Sequence, residues 1–195
     1  MKEQATKFFL NPANLHPCRD ISQGKVTIPQ SGGIYAWYFK PGLLSDKLKP
    51  EWLIPVGEEG LGLCYLGISP DEEASDENLR ERLKTHLEKT ARNSTLRYSL
   101  GALLTDTLNL EVIPHGERKL SFGVTEGILT EWIREHGRVA WYKHEKPWDV
   151  EKSLIRLLHP PLNLKGNPLN PFKNLLEMER KRLRERAHGD QLEEE

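Results

Sequence analysis

The chain has 195 residues, 37% hydrophobic and 29% charged, with a net charge of −1 at neutral pH, so its overall charge does not indicate a nucleic-acid partner. This length suits one compact domain of about 100–200 residues, and the two cysteines, Cys18 and Cys64, exclude a disulfide framework and lack zinc-site spacing. Because no basic leader begins the sequence and no apolar run approaches about 18 residues, we expect a cytoplasmic protein without a membrane span.

The first third of the sequence predicts two short strands on either side of an irregular segment. Residues 34–39 (IYAWYF) follow the turn signal Gly32-Gly33 and have the aromatic, apolar character of a buried strand. Residues 40–61 contain three prolines and three glycines and are expected to be irregular. Residues 63–68 (LCYLGI) predict the second strand.

Helical periodicity dominates the rest of the chain. Leu79, Leu83 and Leu87 repeat every four residues and predict a helix over 77–90. Residues 139–144 (VAWYKH) predict a third strand. Early strands followed by helices indicate an α+β fold, a small mixed sheet with helices packed on it. The further predicted helices cover 95–104, 124–136, 147–159 and 172–187.

Charge is segregated along the chain although it sums to nearly zero. Residues 71–77 hold five acids and no base, whereas residues 78–98 hold six bases and two acids. Residues 179–186 (ERKRLRER) are again rich in bases. Such runs are either solvated helix faces or contacts to a polyanion, and composition alone leaves both interpretations open.

Glu151 is the strongest single indication of chemistry. It stands in line with the apolar stripe of its predicted helix, because Leu154, Ile155 and Leu158 lie three, four and seven residues later. An inward-pointing carboxylate is costly unless it meets a cation or several hydrogen-bond donors. A metal ion is one interpretation, and an ion pair with an arginine at the edge of the stripe is the other.

Arg82, His86 and two strand tyrosines are further candidates. Arg82 and His86 lie one helical turn apart beside the leucine stripe, where the arginine fork suits phosphate and the histidine can move a proton. An exposed helix edge is the alternative. For Tyr35 and Tyr65, ordinary packing is the alternative to catalysis. A nearby metal and arginine are expected to lower the phenol pKa from roughly 10.

Taken together, these residues resemble a known family. Gly33-Ile34-Tyr35 followed by Tyr65-Leu66-Gly67 resembles the two-part motif of the GIY-YIG nucleases, with Leu66 in place of the second central Ile. Residues 79–83 with His86 resemble the arginine helix of that family, and residues 151–155 its metal-binding glutamate helix, in the family's order. The resemblance covers about residues 32–163. It implies a catalytic set of Tyr35, Tyr65, Arg82, His86, Glu151 and Asn163.

The resemblance also implies a fold and a reaction. The fold is α+β with a small three-stranded antiparallel sheet flanked by helices, and the reaction is hydrolysis of DNA phosphodiester bonds with Mg²⁺, or Mn²⁺, held by Glu151. The expected division is an N-terminal extension (1–31), a nuclease domain (32–165) with an insertion at about 40–61, and a charged helical tail (166–195). The residues expected to contact nucleic acid are Arg80, Lys84, Lys89, Arg92, Arg97 and Lys143, with further contacts in 179–186.

Four functional hypotheses follow. The first is a DNA endonuclease, sequence-specific if the insertion has the role that it has in restriction-endonuclease-like members. The second is a nucleic-acid-binding module that keeps the fold without turnover. The third keeps the chemistry on branched DNA or RNA. The fourth is a helical scaffold protein that binds a partner through residues 172–187.

Overall fold

A five-stranded antiparallel sheet lies at the centre of the structure, a computed structural model that describes residues 2–116 and 119–189. The order of the strands across this sheet is first, seventh, second, fourth and third, and the remaining two strands form a separate hairpin. The strands are β1 (His16–Pro17), β2 (Gly33–Phe39), β3 (Pro55–Val56), β4 (Leu61–Ser69), β5 (Ile113–His115), β6 (Lys119–Ser121) and β7 (Arg138–Lys143).

Helices cover both faces of the sheet. Each predicted helix overlaps an observed one, although the helix predicted over 95–104 continues to Leu108. Within the described ranges, none of the helices is long and apolar enough to cross a membrane. The α-helices are α1 (Lys2–Phe9), α2 (Cys18–Ser22), α3 (Pro41–Leu44), α4 (Leu79–Glu88), α5 (Thr95–Leu108), α6 (Glu126–His136), α7 (Trp148–Leu158) and α8 (Lys173–Gly189).

The α+β class is confirmed, but the prediction of three strands is wrong. The three predicted strands are β2, β4 and β7, which form the centre of the sheet. β1 and β3 extend it at the two edges, where His16 pairs with Val139 and Pro55 with Gly62. Each edge strand has two residues and contains a proline, so neither carries the alternating pattern that predicts a strand.

The alternation of side chains along β2 divides the core into two layers. Tyr35, Trp37 and Phe39 point to one face and join the larger apolar cluster, to which α4, α5 and α6 contribute. Ile34, Ala36 and Tyr38 point to the opposite face, which α1 and α7 cover. Because side chains alternate with a period of two, the tyrosine of the Gly-Ile-Tyr motif faces the α4 layer.

The segments outside the central strands also pack on this core. In the N-terminal segment, Phe9 is buried and its carbonyl accepts a hydrogen bond from Tyr38 Oη at 2.8 Å. The 40–61 segment is anchored by three leucines, Leu44, Leu48 and Leu53. The basic helix α8 lies against α5 and buries Leu176, Leu183 and Ala187. These buried contacts make all three segments part of one packed structure.

Candidate active site

Five of the six predicted catalytic residues line one cleft of about 590 Å³ beside β4. Four of them arrive from four separate elements, since the tyrosines lie on β2 and β4, Arg82 on α4 and Glu151 on α7, and Asn163 lies in the segment after α7. The sixth, His86, is fully buried behind Tyr35 rather than at the cleft surface. The five that line the cleft are Tyr35, Tyr65, Arg82, Glu151 and Asn163.

The glycines of the two strand motifs allow close approach around Tyr35. Tyr35 pairs with Gly67 across β2 and β4, and its ring lies where a Cβ on Gly67 would overlap the phenol. A Cβ on Gly33 would come within 2.7 Å of Leu79 Cδ1, the first residue of α4. Both glycines therefore let the tyrosine and the arginine helix come together.

Helix α4 aims Arg82 and His86 at the same phenol. It begins with a capping box in which Asn78 accepts from the amide of Glu81 and Glu81 accepts from the amide of Asn78. One turn later, Arg82 Nε donates to Tyr35 Oη at 3.3 Å, and His86 Nε2 lies 2.8 Å from the same oxygen. Helical spacing and the cap thus fix two polar groups around Tyr35 Oη.

Burial controls the protonation of both tyrosines. It raises the pKa of Tyr35, which the neighbouring Tyr65 raises further and Arg82 lowers. Burial likewise raises the pKa of Tyr65 against the opposing effect of Arg82. In the protein without a metal ion, desolvation outweighs the guanidinium, and the prediction that a metal and an arginine together lower the phenol pKa stays a prediction. Both phenols are therefore neutral at neutral pH.

Arg82 is a permanent cation at the cleft wall. Burial acts to lower its pKa, but Tyr35, Tyr65 and Glu77 act in the opposite direction and the net shift is upward. Among the described residues, only its Nε has a hydrogen-bond partner, so both terminal nitrogens remain available to a ligand. Two adjacent N–H donors on a planar group suit a phosphate.

Glu151 lies in the first turn of α7 and faces the cleft with its carboxylate half-buried. Over residues 2–116 and 119–189 this carboxylate has no hydrogen-bond or ion-pair partner, so the arginine pair considered above does not form. Burial raises the pKa of Glu151, Lys165 lowers it, and Asp71 at the rim of the cleft raises it. The site therefore contains a carboxylate without a bonded counterion.

Asn163 holds the chain segment that follows α7 against the edge of β4. Its Oδ1 accepts from the amide of Leu66, and its Nδ2 donates to the carbonyl of Leu66, both at 2.8 Å. The amide of Leu162 donates to the carbonyl of Cys64 at 2.9 Å. The Asn163 side chain thus takes the place of a neighbouring strand beside the central residue of the Tyr-Leu-Gly motif.

The structure corrects the assignment of Arg97 to nucleic-acid contact. Arg97 is fully buried, and its guanidinium binds Glu126 through Nε at 3.2 Å and NH2 at 2.6 Å. NH2 also donates to the Glu126 carbonyl, and NH1 donates to Thr130. A phosphate contact would break this network, so Arg97 has a structural role that joins α5 to α6.

The other predicted contact residues lie outside the cleft. Arg80 and Lys84 occupy the opposite face of α4 from Arg82, because two residues along a helix correspond to a rotation of about 200°. Arg80 Nε donates there to the carbonyl of Ile28. Arg92 lines a separate cavity of about 330 Å³. Lys89 and Lys143 are exposed at the end of α4 and of β7.

Two lysines on the cleft wall were not singled out by sequence reasoning, whereas Arg180 belongs to the run 179–186 that was predicted to contact nucleic acid. Lys152 and Lys165 flank Glu151 and Asn163 in the chain, and Arg180 reaches the cleft from α8. Arg180 stacks over Tyr98 with its guanidinium carbon 5.0 Å from the ring centroid. Proximity to the glutamate and asparagine motifs would have indicated the two lysines.

Comparison with known families accounts for this arrangement. The family model described as "GIY-YIG catalytic domain" matches residues 33–185, from the first strand motif to most of α8. Searches of curated proteins and of solved structures found no match. Members of the matched family are nucleases that generally depend on a divalent metal. With most of its length covered by that model, the chain belongs to the GIY-YIG nuclease family.

Proposed function

We propose that this protein is a metal-dependent endonuclease that hydrolyses phosphodiester bonds in DNA. The observation that carries the proposal is the convergence of Tyr35, Tyr65, Arg82 and Glu151 on one cleft. A guanidinium with free N–H donors, a carboxylate without a bonded counterion and a phenol near both provide charge stabilisation, cation binding and proton transfer.

The chemistry of Glu151 fits a divalent cation. Its half-buried carboxylate has no bonded partner in the described part of the chain, and desolvation raises its pKa, so a cation in the cleft would relieve an unfavourable charge. Among the described residues, no group of three His, Cys, Asp or Glu side chains surrounds a common point. This favours Mg²⁺ or Mn²⁺ over a fully protein-ligated ion, since Mg²⁺ tolerates a single carboxylate and keeps several waters. When bound, the ion supplies positive charge to the scissile phosphate and its leaving oxygen.

Arg82 and the tyrosines act on the phosphate and the attacking water. Arg82 offsets the charge that builds on the phosphate oxygens, through the two terminal nitrogens that its bond to Tyr35 leaves free. Tyr35 accepts a proton from the attacking water once its own proton has left, and Tyr65 packs beside it with ring centroids 6.5 Å apart. Asn163 positions the β4 edge rather than touching the substrate.

The cations around the cleft favour an extended polyanion as the substrate. Lys152, Lys165 and Arg180 line the catalytic cleft, and Thr95 lines both this cleft and the neighbouring cavity. The neighbouring cavity contains Arg92 and Lys119. A nucleic-acid strand that passes from one to the other would meet positive side chains along its path, which offsets the near-zero net charge of the whole chain.

A second candidate function is motivated by acids at the rim of the cleft. Asp71 and Glu72 line the cleft together with the cations and would repel the phosphates of a duplex that lies across it. This observation favours a substrate that enters as a single strand or at a branch, or a module that binds nucleic acid without cutting it.

A panel of substrates and metals separates these functions. The purified protein is incubated with duplex, flap and junction DNA and with single-stranded RNA, in Mg²⁺, in Mn²⁺ and in EDTA. We expect metal-dependent cutting of duplex DNA, and sequencing of the ends then shows whether one sequence is cut. Preferred cutting of branched DNA or RNA would change the substrate, and binding without cutting across the panel would contradict the proposed enzyme.

A further inference from the structure

Ser94 is a buried residue that connects the helix network to the proposed active site. It caps the N-terminus of α5, where its Oγ accepts a hydrogen bond from the amide of Arg97 at 3.0 Å. The same Oγ lies 2.7 Å from Nδ1 of His86. Both side chains are almost entirely excluded from solvent, with Ser94 at 1% and His86 at 0% exposure. This contact is therefore shielded from competing water.

His86 joins Ser94 to Tyr35. Its Nδ1 faces Ser94 and its Nε2 faces Tyr35 Oη at 2.8 Å. Burial lowers the pKa of His86 well below its ordinary value, and the nearby charges of Arg82 and Arg97 lower it further. The ring is thus neutral and carries one hydrogen, on either Nδ1 or Nε2.

Hydrogen-bond accounting distinguishes the two positions of that hydrogen. A serine hydroxyl has one hydrogen to donate, and within the described residues His86 Nδ1 is the only acceptor bonded to Ser94 Oγ. If Nδ1 carried the hydrogen, the buried hydroxyl hydrogen of Ser94 would have no acceptor, a loss of about 1–3 kcal/mol. If Nε2 carries it, Ser94 donates to Nδ1, and the hydrogen without an acceptor among the described residues is instead that of Tyr35, which lines the cleft and can donate to water there.

We propose that Ser94 is a positioning residue that holds His86 in the Nε2–H form, so that His86 donates a hydrogen bond to Tyr35 Oη instead of accepting the tyrosine proton. This inference rests on the proposed function only in giving Tyr35 a role in the reaction. The placement of hydrogens follows from Ser94, His86 and Tyr35 alone.

The consequence concerns the route of the Tyr35 proton. Tyr35 Oη receives donors from two sides, Nε2–H of His86 and Nε–H of Arg82, and its own hydrogen is left to point into the cleft. When the O–H bond breaks, the proton passes to water in the cleft and not to His86, whose Nε2 is already protonated. The resulting phenolate keeps both donors, which favour its charged form. It then accepts the proton of the attacking water as the new O–P bond forms and the bond from phosphorus to the leaving oxygen breaks, and the leaving oxygen takes up a proton from water in the cleft.

Nitrogen NMR of the histidine rings tests the hydrogen placement directly. Protein labelled with ¹⁵N-histidine is recorded near neutral pH in long-range ¹H–¹⁵N spectra, which distinguish a protonated ring nitrogen from a bare one. His86 is assigned by the signal that H86Q lacks, or by its contacts to Tyr35 protons if H86Q does not fold. We expect a protonated Nε2 and a bare Nδ1. A protonated Nδ1 would overturn the proposal, whereas the nuclease hypothesis would stand, because no substrate is present.

Two variants test whether Ser94 is the cause. Ser94→Thr keeps the hydroxyl and the helix cap, and we expect it to keep the single Nε2–H form. Ser94→Gly removes the hydroxyl at a cost of only a few tenths of a kcal/mol to the cap, because glycine is an acceptable N-cap residue. We expect signals from both tautomers in Ser94→Gly. An unchanged His86 spectrum in this variant would show that Ser94 does not set the tautomer.

Discussion

The two halves of the cleft differ in how completely the protein satisfies them. On the sheet and α4 side, Tyr35, His86 and Ser94 form a buried chain of hydrogen bonds that Arg82 joins from the cleft wall. On the α7 side, Glu151 presents a carboxylate that has no bonded partner within residues 2–116 and 119–189. The comparison teaches that the first half is preorganised by the chain, whereas the second half leaves a carboxylate open to the cation that the proposed function requires.

The largest expected effect on the cleavage rate comes from comparing two tyrosines on opposite faces of β2. Tyr35→Phe removes the hydroxyl that Arg82 and His86 contact and should lower cleavage by about 10²–10⁴-fold, the usual contribution of acid–base catalysis. Tyr38→Phe is the matched control, because its hydroxyl bonds to Phe9 on the other face and should leave the cleavage rate near that of the wild type. Single-turnover rates measure both. Equal rates for the two variants would remove Tyr35 from the mechanism.

The next prediction contrasts a structural arginine, Arg97, with Arg82 in the cleft. Arg97→Ala leaves Glu126 partly buried and unpaired and should lower the free energy of unfolding by about 3–5 kcal/mol. Arg82→Ala should lower cleavage by about 10²–10³-fold with a much smaller loss of stability, since the role proposed for Arg82 is to stabilise reaction charge and it forms no buried ion pair with the described residues. Urea unfolding and single-turnover assays measure the two effects. Arg97→Ala with unchanged stability but weaker DNA binding would restore the original prediction for Arg97.

A smaller effect concerns the cations on the cleft wall. If Lys165 contacts one phosphate, Lys165→Gln should reduce the slope of log Kobs against log salt by about 0.9 for duplex DNA. Lys40→Gln is the control, because exposed Lys40 follows the end of β2 distant from Tyr35. Fluorescence anisotropy between low and moderate salt measures the slopes. The cleft would not be the DNA path if both variants changed the slope equally.

The smallest effect is the pH dependence of stability that Glu151 causes. Its folded-state pKa lies above the ordinary value of 4.5, so the folded state binds the proton more tightly than the unfolded state does. The free energy of unfolding should therefore fall as pH rises from 4.5 through the folded pKa, and Glu151→Gln should lack this component. Adding Mn²⁺ at neutral pH should narrow the difference in the free energy of unfolding between Glu151→Gln and the wild type, because we expect the ion to bind only the folded wild type. Thermal unfolding at several pH values, with Asp149→Asn as the exposed control on the same helix, checks the sign.

Much of this arrangement could be predicted from local pattern. The central strands follow from their short apolar and aromatic runs, helices α4 to α8 follow from their periodicity, and the inward direction of Glu151 follows from its phase on α7, whereas α1, α2 and α3 were not predicted. The two edge strands could not be predicted, because each has two residues and a proline. The error on Arg97 has a different cause: its partner Glu126 lies 29 residues later, and a basic residue in a helix has the same local pattern whether it faces solvent or a buried acid.

His86 shows the same limit of prediction from local sequence within the site. Its position one turn after Arg82 predicted a place on the same side of α4, yet only the tertiary structure shows that it is fully buried. In the sequence, its partner Ser94 has the pattern of an ordinary N-cap residue before α5. The bond between them depends on how α4 and α5 pack together, which local propensities do not determine.

The most direct test of the account compares Glu151→Gln with Asp149→Asn on a substrate that the wild type cuts in Mg²⁺. Both changes remove one negative charge from the first turn of α7, but only Glu151 faces the cleft. The account predicts that Glu151→Gln folds, binds DNA and cuts no faster than the wild type in EDTA, while Asp149→Asn cuts at the wild-type rate. Undiminished cutting by Glu151→Gln would contradict the account.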